Sequence, residues 1–215
     1  MTGPSSQYFA RQPAAASDRR VVALSLPDLE LSLTTDRGVF ATSGVDPGTR
    51  LLLQEAPHPS DAMGDVLDLG CGYGPIATSL ARRAPGARVW AVDVNERAVA
   101  LCAENAAANG AEQVHPVVVD EGGAPLAGAP DDVVALPDLR FGGIWSNPPI
   151  RIGKAALHRL LTLWLDRLLP GANAWLVVQR HLGADSLAAW MDQEGWSTER
   201  LVSRSGYRLL EVSAR

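Results

Sequence analysis

The tetrapeptide Asn147-Pro148-Pro149-Ile150 closes the apolar run Gly143–Ser146, and its residue types suit one kind of chemistry. Two consecutive prolines fix the backbone stiffly. The Asn147 side chain and the Pro148 carbonyl are therefore held in set directions, and both accept hydrogen bonds. An amino group on an aromatic ring keeps its lone pair delocalised into that ring. Two acceptors gripping its two N–H bonds pull the nitrogen toward tetrahedral geometry. They also turn the lone pair toward an electrophile and stabilise the positive charge that grows on nitrogen. No strong general base is needed before transfer. Taken alone, the tetrapeptide reads better as a rigid structural turn; its place beside three other motifs is what favours chemistry.

The first of these is Asp68-Leu69-Gly70-Cys71-Gly72-Tyr73-Gly74-Pro75, which leaves an apolar run and opens a helix. Glycines there let backbone approach a ligand closely, and ligands of strand–helix folds bind beyond the strand carboxyl ends. A dinucleotide fingerprint would place its third glycine at 75. Pro75 stands there instead. It suits the first position of a helix but offers neither close glycine packing nor an N–H to a pyrophosphate, which argues against NAD or FAD. The second motif, Ala91-Val92-Asp93-Val94-Asn95, puts Asp93 23 residues after Gly70. An acid there can accept both hydroxyls of a ribose or simply favour the dipole of the next helix; coupled to the glycine turn, it reads as the ribose acid. The third, Val119-Asp120, supplies either an acceptor for an adenine amino group or a solvated loop acid.

These motifs need a scaffold that brings strand ends together. Val21–Leu26 and Leu29–Thr34 read as two strands around Pro27-Asp28, and Asp36-Arg37-Gly38 and Asp46-Pro47-Gly48 as turns. Thr49 opens a short helix over Leu51-Leu52-Leu53. From Val66 strands and helices alternate. Strands are expected at 66–69, 89–92, 114–119, 143–146 and 175–179, with helices at 75–83 and from the Asn95 cap to Asn109-Gly110. Leu157, Leu160, Leu161, Trp164, Leu165 and Leu168 form the apolar stripe of a helix stopped by Pro170-Gly171. Asp185 caps another helix. Thr198–Ser203 and Tyr207–Val212 close the chain as a hairpin across Arg204-Ser205-Gly206. Such alternation predicts an α/β fold: a mostly parallel sheet, helices on both faces and an antiparallel edge. Residues 1–20, rich in Ala, Ser, Pro and Gln, read as a flexible N-terminal arm, and residues 121–139 as a long loop.

Composition bounds the alternatives. The 215 residues are 47% hydrophobic, enough for one domain with a real core. Two cysteines, Cys71 and Cys102, exclude a disulfide scaffold and a four-cysteine zinc site; both read as small apolar fillers. The four histidines show no ligand spacing, so no metal is expected. No apolar run reaches the 18 or so residues of a membrane span, no secretory signal is visible, and the cytoplasm is the expected compartment. Net charge is −5, and a uniformly acidic surface would repel nucleic acid. The charge is uneven, however. Residues 1–139 carry 9 positive and 18 negative side chains, whereas residues 140–182 carry 6 positive and 1 negative, so a basic region surrounds Asn147. Of the tryptophans, only Trp145 is placed to shape a base pocket. Tyr73 either touches a cofactor or packs.

Together these residues resemble the class I S-adenosylmethionine-dependent methyltransferases. More narrowly they resemble the "small" methyltransferase domain of bacterial 16S and 23S ribosomal RNA guanine-N2 methyltransferases. Thr35–Phe40, Asp46–Thr49, Ser146–Lys154 and Gln179-Arg180-His181-Leu182 extend the likeness from about residue 21 to the end. The resemblance implies a Rossmann-like, seven-stranded, mostly parallel sheet with an antiparallel C-terminal hairpin. Residues 21–60 would form a short β extension and residues 61–215 the core. It implies S-adenosyl-L-methionine as cofactor, leaving as S-adenosyl-L-homocysteine. Thr49, Asp68, Gly70, Gly72, Gly74, Asp93, Val94, Asp120 and Asn147 would border that cofactor. Asn147 and Pro148 would be catalytic. Phe40, Pro149 and Ile150 would meet the target base, and Arg151 and Lys154 phosphate. The implied acceptor is guanine N2 of ribosomal RNA, with the ribosomal subunit as partner; a protein glutamine amide, a small-molecule amine, or a non-catalytic cofactor-binding scaffold are the alternatives. The larger enzymes carry a further N-terminal domain for which this length leaves no room, so recognition is expected to rest on the catalytic domain or the arm. Phe141-Gly142-Gly143 stands where an acid commonly follows the aromatic residue.

Overall fold

Strand β3 (Asp65–Leu69) is buried on consecutive residues from Val66 to Leu69, a pattern a strand shows when both its faces are covered. It lies at the centre of a seven-stranded sheet. The computed structural model describes residues 11–126 and 136–215. The sheet contains β4 (Arg88–Asp93), β5 (Val114–Val118), β6 (Phe141–Ser146), β7 (Leu168–Gln179), β8 (Ser197–Arg204) and β9 (Tyr207–Ser213), in the order β5-β4-β3-β6-β7-β9-β8. The first five pair in parallel, and β9 runs antiparallel to both β7 and β8. Strand order reverses between β3 and β6. A crevice at such a switch point is where open α/β sheets bind ligands. The fold expected from the sequence is the fold observed.

Side chains along each strand alternate between two cores. Val66, Val89, Ala91, Trp145 and Trp175 face a layer made by α1 (Pro47–Glu55), α2 (Pro75–Arg83) and α3 (Glu96–Ala108). Leu67, Leu69, Trp90, Val92 and Ile144 face α4 (Lys154–Leu165) and α5 (Ala184–Gln193). Strands β1 (Arg20–Ser25) and β2 (Glu30–Thr35) form a separate antiparallel hairpin. Asn105 ties it to α3, accepting from Thr34 N at 2.7 Å and donating to Thr34 O at 2.8 Å.

Several boundaries differ from those expected, each for a local reason. Helix α1 begins at Pro47, because Asp46 is not a turn residue but an N-cap accepting from Gly48 N and Thr49 N. Helix α4 stops at Leu165, so Leu168 belongs to β7. Pro170-Gly171 sits inside that strand, in the stretch between the pairs Phe141–Leu168 and Gly143–Asn173 where β6 offers no partner. Gly183, in the left-handed region, precedes α5; Asp185 lies in its first turn and pairs with Arg208. The C-terminal hairpin turns on two residues rather than three: Ser205 and Gly206 both have positive φ, at 51° and 81°. The expected flexible arm is fixed over its second half. Arg11 pairs with Glu96 at 2.6 Å, Arg97 donates to Ala15 O at 2.9 Å, and Ser17 donates to Asp36 at 2.7 Å. Residues 1–10, and 127–135 of the expected loop, lie outside the described residues.

Candidate active site

The carboxyl ends of β3, β4, β5 and β6 surround a cavity of about 490 Å³, within the ordinary range for small-molecule sites. Backbone builds one wall. Gly70 N and Cys71 N both donate to Val92 O, at 2.9 and 3.0 Å, which stitches the glycine turn to β4. Gly70 and Gly72 have φ of 76° and 55°, and a Cβ on either would meet nothing within 4 Å. That open space is the cavity itself. Gly74 also has positive φ, but a Cβ there would lie 2.7 Å from Cys102 Sγ. Its job is the close approach of α2 to α3, and it does not line the cavity.

Asp93 lines this wall with its carboxylate held by backbone. Oδ2 accepts from Gly72 N and Oδ1 from Asn95 N, each at 3.0 Å. Burial raises the carboxyl above its ordinary value, although the Asn95, Gly72 and Val94 N–H groups pull the other way. Val94 lines the same wall. Asp120 lies beyond it at the end of β5, exposed. Its Oδ1 caps its own turn, accepting from Gly122 N and Ala124 N at 2.8 and 3.0 Å. Asp68, expected as a cofactor contact, is not on the cavity surface. It is fully buried beneath the turn, where Oδ2 accepts from Ala77 N at 2.8 Å and Oδ1 has no partner among the described residues. Burial pushes its carboxyl up to about 8 against that hydrogen bond, and the nearby Asp93 charge adds to the rise. Cys71 lines the cavity, Cys102 packs behind it, and contact between them together with burial keeps the Cys71 thiol protonated. The Tyr73 hydroxyl is buried in the cavity wall without a hydrogen-bond partner among the described residues.

Side chains build the opposite wall. Asn147 Nδ2 donates to Asp46 Oδ2 at 2.9 Å and to Thr49 Oγ1 at 3.0 Å. Thr49 therefore sits with the asparagine rather than with the glycine turn. Both amide N–H groups being taken, the Asn147 Oδ1 acceptor is left without a partner among the described residues. The Pro148 carbonyl already accepts from Ile150 N at 2.8 Å. A carbonyl oxygen has two lone pairs, so one remains. Pro149, Ile150, Arg151 and the 46% exposed Phe40 also border the cavity. Trp145 does not: it is buried and stacks on Trp175 with ring centroids 4.5 Å apart, as core.

Sequence reasoning missed Asp46, Tyr207 and the role of Gln179. Gln179 Nε2 donates to Tyr207 Oη at 2.9 Å, and Tyr207 Oη faces Asp46 Oδ1 at 3.5 Å. A helix-start signal was present in Asp46-Pro47, but no sequence signal joins residues 101 or 161 positions apart. At the mouth, Arg151 and Arg159 are exposed and form no ion pair among the described residues; Lys154, which begins α4, and Arg180, which follows the lining residue Gln179, are also exposed and unpaired there, just off the cavity. No helix among the described residues is long and apolar enough to cross a membrane, and no described cluster of His, Cys, Asp or Glu could hold a metal ion.

Residues 30–211 match the methyltransferase small domain. The chain is 32% identical over 208 residues to "Uncharacterized protein YbxB" of Bacillus subtilis, covering 97% of this chain and 98% of that one. It is 34% identical over 163 residues to ribosomal RNA small subunit methyltransferase C of Shewanella amazonensis, covering 74% of this chain and 43% of that protein. Among solved structures, the T. thermophilus 16S rRNA N2 G1207 methyltransferase in complex with AdoMet and guanosine superposes with a TM-score of 0.72 at 25% identity, over 94% of this chain and 52% of that one. The chain thus spans about half the length of these two methyltransferases and nearly all of YbxB.

Proposed function

The chain belongs to the methyltransferase small domain family, and from that premise we propose that it methylates an exocyclic amino nitrogen of ribosomal RNA, with guanine N2 as the acceptor. It is an S-adenosylmethionine-dependent methyltransferase. The T. thermophilus neighbour, a 16S rRNA N2 methyltransferase solved with AdoMet and guanosine, supports this acceptor.

The observation that carries the reading is the unpartnered Asn147 Oδ1 beside the remaining lone pair of the Pro148 carbonyl, both at the cavity edge. These two acceptors take the two N–H bonds of the amine. As charge grows on nitrogen they stabilise it in a partly dry site, where such interactions are strongest. Phe40 and Ile150 supply apolar surface for the base.

The residues present fit the cofactor. A Cβ at Gly70 or Gly72 would fill the cradle, and the acids Asp93, Asp120 and Glu121 line the cavity on that side, as suits a cation. When bound, the sulfonium supplies an electrophilic methyl carbon. Gly70, Gly72 and Val94 would approach it through backbone, Asp93 would hold the ribose hydroxyls, and Asp120 would stand near the adenine. Asp68 and Gly74 act from behind, by shaping the turn.

The unpaired cations at the mouth favour a phosphate chain. Four such contacts give modest, salt-sensitive affinity, which suits RNA met in an assembled particle. Residues 21–215 act as one catalytic unit. Labelled S-adenosylmethionine incubated with small ribosomal subunits, free ribosomal RNA and ribosomal protein extracts tests the reading. Label in RNA is expected; label confined to protein overturns it.

A further inference from the structure

We propose that Asp46 is the positioning residue that orients Asn147: its carboxylate holds the amide nitrogen, so the amide oxygen faces the acceptor amine. The two ends of an asparagine amide are nearly alike in shape, and only their partners decide which way it lies. Thr49 Oγ1, 3.0 Å from Nδ2, does not decide, since a hydroxyl both donates and accepts. Asp46 Oδ2, 2.9 Å from Nδ2, does decide, since a carboxylate only accepts. With the amide reversed, two oxygens would face each other and an N–H would point at the amine. The site would then repel the group it has to hold.

The carboxylate also acts through the bond it accepts. Drawing on the N–H polarises the amide and raises the negative charge on Oδ1, where the amine becomes positive. Asp46 is itself fixed from two sides. Its Oδ2 accepts from Gly48 N at 2.8 Å and Thr49 N at 3.1 Å, which anchors it to the start of α1. Its Oδ1 faces Tyr207 Oη at 3.5 Å, and Gln179 holds Tyr207 in turn. Gly48 makes this possible: a Cβ there would lie 2.6 Å from Tyr207 Cε1, so only glycine admits the ring. The residue is therefore both a helix cap and the reference point for a side chain 101 positions away.

This inference rests on the amine-methylating reading for its kinetic consequence, not for its geometry. Two variants separate positioning from capping. Serine caps helices about as well as aspartate, but its oxygen sits one bond closer to the backbone, so when engaged at the cap it falls short of Asn147 Nδ2. Asparagine, with its oxygen in the place of Oδ2, caps the helix and accepts from Nδ2 with that same atom, without the charge. Asp46→Ser is expected to lower kcat at least ~30-fold, by analogy with loss of one transition-state hydrogen bond. Its S-adenosylmethionine Kd should stay within about threefold and its Tm within a few degrees. Asp46→Asn is expected to fall by less than about tenfold. In two-dimensional ¹H–¹⁵N spectra, the Asn147 side-chain amide protons should exchange slowly in the wild type and in Asp46→Asn, and rapidly in Asp46→Ser. Undiminished kcat in Asp46→Ser, equal losses in both variants, or a loss shared with cofactor affinity and Tm would overturn the proposal. If the wild type methylates no RNA or protein acceptor, the proposed function fails, and the amide exchange still decides the positioning. Slow exchange persisting in Asp46→Ser overturns it; rapid exchange in that variant alone supports it.

Discussion

The two walls of the cavity are built by different means. The cofactor wall is backbone: a turn of positive-φ glycines stitched to β4, and an acid, Asp93, tied to three N–H groups within its own neighbourhood. The acceptor wall is a side-chain network whose members, Asp46, Thr49, Asn147, Gln179 and Tyr207, come from four separate parts of the chain. A backbone wall tolerates side-chain replacement, because its hydrogen bonds all use main-chain N–H groups. A wall of distant side chains is adjustable, and one replacement can re-aim it. The proposed function then implies a division of labour: cofactor affinity would be set on one side, and turnover and acceptor choice on the other.

That division can be broken by experiment. The largest effect is expected from Asn147→Ala, which should cut kcat by about 10²–10³, as removal of one such transition-state hydrogen bond does. Its S-adenosylmethionine Kd by calorimetry should move only a few-fold; an equal loss of affinity would merge the two walls. Next comes Asp93→Ala, which should raise that Kd about 10–100-fold, the worth of hydrogen bonds to a charged group. Its kcat at saturating cofactor should fall much less. Replacing both Arg151 and Lys154 by alanine should leave both walls intact and raise KM for RNA a few-fold. The dependence of log K on log salt should flatten by about one unit for each phosphate that is no longer neutralised.

The smallest effect concerns stability. Asp68 has its carboxyl raised to about 8 in the folded protein, against 3.8 as its ordinary value. A raised acid binds its proton more tightly when folded, so its contribution to stability is full below about pH 4 and is lost as pH rises through about 8. Asp68→Asn removes that loss. The variant's Tm without cofactor should exceed the wild type's by a few degrees at pH 9 and by little at pH 5. A constant difference across that range would mean that the carboxyl does not titrate there.

Legibility in the sequence followed the same line. The glycine turn, Asp93, the Asn95 cap and the Asn147-Pro148-Pro149-Ile150 step were readable because each is a contiguous pattern with a local physical meaning. The sheet was readable because apolar runs and helical stripes alternate. What could not be read was direction and distance. Asp68 and Gly74 belong to the glycine motif by position yet not to the cavity surface: a strand sends successive side chains to opposite faces, which buries Asp68, and Gly74 starts α2 where it closes on Cys102. Pro170-Gly171 signals a break, but nothing in its composition says that the break is a bulge within a strand. Asp46 and Tyr207 stand 161 positions apart and meet only because β9 inserts beside β7 and α1 packs across their ends.

The most direct test of the central claim is nucleoside mass analysis of ribosomal RNA from small subunits incubated with S-adenosylmethionine and either the wild type or Asn147→Ala. The account predicts N2-methylguanosine with the wild type and almost none with the variant. A methylated nucleoside other than one bearing the group on an exocyclic nitrogen, or equal yields from the two proteins, would contradict it.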